Sequence, residues 1–161
     1  MQASTLIVDS NIQLEEPVAL LLQNCDSRPA WSISPEATVY EAIEQMSKNQ
    51  AGALVVLSAQ RLDGIISERD YARKVILKGR NSRETRVHEI MSKSVYYVDV
   101  ETNINECLQL MSSRHVRHLP VMQGHKVVAL LSMDDLVKWI INSQGNTIHQ
   151  LQNYIAGSYP A

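Results

Sequence analysis

The sequence predicts a mixed α/β (α+β) fold built from two tandem copies of one unit, each running strand, helix, strand, strand, helix. Three observations lead there. First, residues 31–76 align with residues 96–141 at a constant offset of 65 and without a gap. The identical pairs are Glu36/Glu101, Glu41/Glu106, Met46/Met111, Ser47/Ser112, Leu54/Leu119, Val56/Val121, Ser67/Ser132, Asp70/Asp135 and Ile76/Ile141. Second, each copy carries one apolar stripe at helical spacing. Third, each copy has two short apolar runs, the second ending in Ser-x-x-Asp. Self-similarity at a fixed period marks a duplicated supersecondary unit.

The elements follow in order. Val18–Leu22 reads as a short N-terminal helix. Trp31–Ser34 and Tyr96–Val98 read as the leading strands of the two units. Thr38 with Glu41, and Asn103 with Glu106, have the spacing of a capping box, in which side chains satisfy the orphan amides of a helix start. Val39, Ala42, Ile43 and Met46 then fall at i, i+3, i+4 and i+7, as do Ile104, Cys107, Leu108 and Met111, giving each copy one buried stripe. Ala53–Leu57 with Asp63–Ile66, and His118–Met122 with Lys126–Leu131, are two hairpins turned at Ser58–Gln60 and Gln123–His125. A closing helix begins after Ser67 and after Ser132. One such unit cannot cover both faces of a three-stranded sheet, so the copies are expected to pack together. Lys78–Arg86 is a polar, basic connector, and Ile148, Leu151 and Ile155 give the tail helical spacing. The expected domains are an N-terminal extension (1–17), repeat 1 (18–80), repeat 2 (81–143) and a partly helical tail (144–161).

Composition narrows function. The chain has 161 residues, 45% hydrophobic and 20% charged, with a net charge of −2. That is ordinary globular composition and argues against charge-driven binding to nucleic acid or membrane. Phenylalanine is absent, so Leu, Ile, Val, Ala and Met must build the core. The first basic residue is Arg28, which does not fit a secretory or transit signal. Cys25 and Cys107 form no CxxC pair, so the expected compartment is reducing cytoplasm. There is no G-x-G-x-x-G, P-loop, H-E-x-x-H or G-x-S-x-G, and no enzyme activity is expected. His115 and His118 lack further metal ligands.

The segments Gly64-Ile65-Ile66-Ser67-Glu68-Arg69-Asp70 and Ala129-Leu130-Leu131-Ser132-Met133-Asp134-Asp135 carry the chemistry. A Ser-x-x-acid at a helix start is an ordinary cap. Its carboxylate can also accept two ribose hydroxyls, and its serine and free amides suit a phosphate.

These segments, with Ile90-Met91 and the strand His118-Leu119-Pro120-Val121, resemble the CBS (cystathionine-β-synthase) domain family over roughly residues 18–143. The similarity is closest to stand-alone CBS-pair proteins of bacteria and to plant single-pair proteins implicated in thioredoxin regulation. The resemblance implies two βαββα CBS repeats related by a pseudo-twofold (a Bateman module), a homodimer, and an adenosyl ligand bound between repeats. AMP is the first candidate, with NAD, ADP, ATP or S-adenosylmethionine as the others. It assigns ribose to Asp70 and Asp135, places the family's preceding hydroxyl side chain at Ser67 and Ser132, and assigns phosphates to Arg117, His118 and Arg69. Ile65, Tyr97 and Val98 would flank the adenine. A mirror site would use Ser132 and Asp135 with Trp31, Ile33 and Leu130. The expected function is a regulatory sensor whose ligand alters contact with a partner protein, the alternative being a ligand-independent scaffold with degenerate clefts.

Overall fold

Duplication extends to strand register. The computed structural model of the chain describes residues 14–24 and 30–143. The elements are α1 (Val18–Asn24), β1 (Ser32–Ile33), α2 (Val39–Asn49), β2 (Ala53–Ser58), β3 (Arg61–Ser67) and α3 (Glu68–Tyr71). After α4 (Val87–Ile90) come β4 (Val98–Asp99), α5 (Ile104–Arg114), β5 (His118–Gln123), β6 (Lys126–Ser132) and a helix α6 over residues 133–143. Each half forms one three-stranded sheet, β1-β2-β3 or β4-β5-β6. Ala53 pairs with Ser67 and His118 with Ser132, and both hairpins shift register at equivalent places, Val56/Leu57 and Val121/Met122.

The helix starts are as the sequence predicts at one copy and halved at the other. At α2, the Glu41 amide donates to Thr38 Oγ1 (3.2 Å) and the Thr38 amide donates to Glu41 Oε2 (2.6 Å). At α5 the Glu106 amide donates to Asn103 Oδ1 (2.8 Å), without the return bond that would complete the box. Both helices end on a non-glycine residue in the left-handed region, Gln50 (φ 51°) and His115 (φ 54°). α2 buries Val39, Ala42 and Met46, and α5 buries Ile104, Cys107 and Met111. The closing helices differ. α6 is α-helical throughout residues 133–143, whereas α3 makes one turn and widens into a π-helical stretch, Ala72–Ile76. There the Leu77 amide donates to Ala72 O (3.1 Å), five residues back.

Two hydrophobic cores result, and each is finished by the segment that leads into the other repeat. Val18 and Leu21 of α1 pack with Ile104, Met111, Leu119 and Leu136 of the second copy. Val87 and Ile90 of α4 pack with Val39, Met46, Leu54 and Ile66 of the first. The backbone repeats the exchange. Val18 N donates to Thr102 O (2.8 Å) and Ile104 N to Glu16 O (3.0 Å). Val87 N donates to Ala37 O (2.9 Å) and Val39 N to Thr85 O (2.9 Å). These leading segments match at an offset of 69, not 65, which is why the repeat alignment of the sequence does not extend to them. Full burial of a Val or Leu stabilises by about 1.5–3 kcal/mol, so α1 is an integral part of the second core. Cys25 and the tail positions Ile148, Leu151 and Ile155 lie outside the described residues.

Candidate functional site

Each hairpin delivers its last strand residue as the cap of the next helix. The Asp70 amide donates to Ser67 Oγ (3.3 Å), and Ser67 N and Oγ both donate to Asp70 Oδ2 (2.9 Å each). At the second copy, Ser132 N and Oγ donate to Asp135 Oδ2 (2.8 Å each), and the Asp135 amide donates to Ser132 Oγ (3.1 Å). Both motifs therefore serve as capping boxes, each using one carboxylate oxygen.

Around the first motif a cavity of about 290 Å³ opens between the repeats. Ile65, Ser67, Arg69 and Asp70 line it from one side, and Arg117 and His118 from the other. The segment following α4 forms a further wall, because Ile65 N donates to Ser92 O (3.1 Å) and Ser92 N to Ile65 O (2.8 Å). Gly64 permits this approach, since a Cβ there would stand 2.7 Å from Ser92 O and 2.9 Å from Met91 Sδ. Tyr96 of that segment lines the cavity, with the Arg114 guanidinium 5.1 Å from its ring centre. The sequence reading missed Tyr96, because only the bridge between Ile65 and Ser92 fixes which side chains of this segment turn inward. Tyr97 instead lines a separate hollow of about 570 Å³ beside Arg61, Lys93 and His125, and Val98 is buried in the second core.

The charge in the cavity comes from an exchange at one equivalent position. Gly52 O accepts from the Glu68 amide (3.1 Å), and Arg117 O accepts from the Met133 amide (2.9 Å). Glycine on one side leaves space, and arginine on the other supplies an exposed cation with no ion pair among the described residues. His118 fills part of that space, with Nε2 3.6 Å from where a Gly52 Cβ would lie. Burial holds the His118 imidazole below its ordinary value, opposed by Asp135 and Asp134, while Arg117 lowers it further. It is therefore a neutral ring at pH 7, a hydrogen-bonding group and not a second cation. Cys107 is inert by the same physics, since burial pushes its thiol up to about 11.

Of the mirror set, Ser132 and Asp135 form the cap described above. Ile33 packs on the first core, and Leu130 is half-buried opposite Pro120. Trp31 leaves its indole N–H buried without a partner among the described residues. At the offset of the leading segments, the wall corresponding to 92–96 would be 23–27, and residues 25–29 lie outside those described. Among the described residues no cluster of three or more His, Cys, Asp or Glu could hold a metal, and no helix is long and apolar enough to cross a membrane.

Two α/β repeats that exchange their leading segments, with the Ser67/Asp70 helix start facing a polar cleft between them, define a duplicated module. The CBS domain family matches residues 23–76 and 87–142, and the chain belongs to that family as a CBS pair. It is 34% identical over 142 residues to the mitochondrial CBS domain-containing protein CBSX3 of Arabidopsis thaliana, covering 85% of this chain and 68% of the relative. A solved protein with CBS domains from Burkholderia ambifaria superposes with TM-score 0.77 at 42% identity, covering 80% and 96% of the two chains. The hexameric CBS-CP12 protein of bloom-forming cyanobacteria superposes with TM-score 0.65 at 28% identity, covering 69% and 65%. CBS pairs of this kind are generally regulatory and bind adenosine-containing ligands.

Proposed function

We propose that the chain is a sensor of adenine nucleotides that binds its ligand in the Asp70 cleft and catalyses nothing. The observation that carries this reading is the convergence of Ser67 and Asp70 from one repeat with Arg117, without an ion pair among the described residues, from the other around one cavity. Asp70 accepts ribose hydroxyls, while Ser67, Arg69 and Arg117 take the phosphates and His118 adds a neutral donor. Ile65 and Tyr96 flank the base. AMP is the first candidate, and NAD, ADP, ATP and S-adenosylmethionine are the others. A charge-assisted bond from arginine to phosphate is among the stronger hydrogen bonds available to a protein.

The occupied module acts as a homodimer whose surface a partner protein reads, in the cytoplasm. Exposed Ile76 and Ile141 occupy equivalent positions on the two repeats, beside exposed Leu77 and Val137, an apolar face suited to a second copy. Sedimentation at micromolar concentration tests this, and a monomer alone would refute it. A thermal-shift series with the five ligands tests the binding, since a ligand that favours the folded state raises the melting temperature by mass action. The engagement of both Ser-x-x-Asp motifs as caps, through one oxygen each, favours a second reading, a ligand-independent scaffold, and a flat series would select it.

A further inference from the structure

The two Ser-x-x-Asp motifs differ at one oxygen. Asp70 Oδ1 accepts from Lys74 Nζ at 2.8 Å, and the same ammonium donates to Ile90 O at 2.7 Å. Ile90 is the last residue of α4, so its carbonyl is one of the orphan acceptors of a helix end. Anchored at two points, one of them a carboxylate only 12% exposed, the Lys74 ammonium is held against Asp70 although 44% of its own side chain is exposed. It sits within the π-helical stretch that the second repeat lacks. Such widened turns recur at functional sites.

Trp139 stands at the equivalent position of the second repeat, four residues after Asp135 as Lys74 is after Asp70. Its indole N–H is buried without a partner among the described residues. Asp135 Oδ1 has no hydrogen bond or ion pair among the described residues. A carboxylate that holds a ribose diol must accept from both hydroxyls. Asp70 brings one oxygen filled by the two cap bonds and another that already shares a lone pair with an ammonium, whereas Asp135 brings one oxygen with neither.

We propose that Lys74 is a built-in competitor for the sugar, a specificity-determining residue that weakens the ribose contact of Asp70 without abolishing it. The Asp70 cleft then selects its ligand by the anionic end, through Arg117, and discriminates strongly against unphosphorylated nucleosides. The inference rests on the adenine-nucleotide reading above.

Adenosine, which has the diol but no phosphate, is the probe. Calorimetric titration uses the full chain carrying Asp135→Asn, so that the heat reports the Asp70 cleft. Lys74→Gln retains a neutral donor for Ile90 O and Lys74→Met retains none. Adenosine affinity is expected to rise about tenfold in both, the size of one recovered hydrogen bond to a charged group. The gain should vanish when Asp70→Asn is added, a coupling that a merely structural lysine would not produce. Unchanged or weaker adenosine binding in both lysine variants, with Asp70→Asn still weakening AMP, would overturn the proposal alone. If Asp70→Asn binds AMP like its parent, the nucleotide reading fails and the role of Lys74 fails with it.

Discussion

Replacing Arg117 by alanine separates recognition of phosphate from recognition of nucleoside. The guanidinium is exposed and holds no ion pair among the described residues, so its removal should leave the melting temperature nearly unchanged. Surface substitutions away from caps and cores usually fall within about 0.5 kcal/mol. Its one described contribution to the fold, the carbonyl that accepts from the Met133 amide, belongs to the backbone and survives. With AMP bound, truncation forfeits a charge-assisted bond worth about 1.5–3 kcal/mol, or roughly a ten- to hundredfold loss of affinity. Adenosine offers no phosphate and should bind the variant as it binds the parent. Titration calorimetry with both ligands measures the contrast. Equal losses for AMP and adenosine, or none for either, would remove Arg117 from the phosphate role.

Three further outcomes probe the frame of the cleft. Leu21→Ala should destabilise by about 2–5 kcal/mol in chemical denaturation, because Leu21 is buried in the second core; a surface-like value would contradict the exchange. Gly64→Ala should destabilise by about 1–3 kcal/mol, because the new Cβ meets the Ser92 carbonyl at 2.7 Å, a backbone atom that cannot swing aside. Ala129→Gly, at the equivalent position, should gain nothing. For His118, the folded ring resists protonation while the unfolded ring titrates near its ordinary 6.5. The unfolded chain therefore binds the extra proton first, so this contribution is fully present above about pH 6.5 and is lost as pH falls below it. Melting temperatures from pH 7.5 to 5.5 should drop more for the parent than for His118→Gln, and parallel curves would refute the assignment.

What the sequence made legible was what local patterning controls. The offset of 65 carried the hairpins, the buried stripes of α2 and α5, and the Ser67 and Ser132 caps, because short-range spacing dictates each of them. That Asp70 and Arg117 share one cleft came instead from the resemblance to CBS domains, because local spacing does not say which strand end faces which helix start. Two things escaped it. Tyr96 and Tyr97 are adjacent and chemically alike, and only the pairing of Ser92 with Ile65 decides which faces inward. The exchange of α1 and α4 is equally silent, because Val18-Leu21 and Val87-Ile90 are too short to announce their partners and stand at a different offset from the rest. The half-formed box at Asn103 shows the converse, a local signal only partly realised by the fold.

The exchange of leading segments also sets a timetable. Leu21 leaves the ribosome more than a hundred residues before Leu136, the partner it needs in the second core. At about 5–20 residues per second of synthesis, α1 waits about 5–20 seconds for its binding surface to be made. Throughout that interval the apolar run Val18-Ala19-Leu20-Leu21-Leu22 has no native place to go. The first repeat meanwhile acquires α4 soon after its own hairpin and can close early. The nascent chain thus passes through a stage with one half assembled and a sticky N-terminal arm trailing from it, the state in which a chaperone or a second nascent copy would find something to hold.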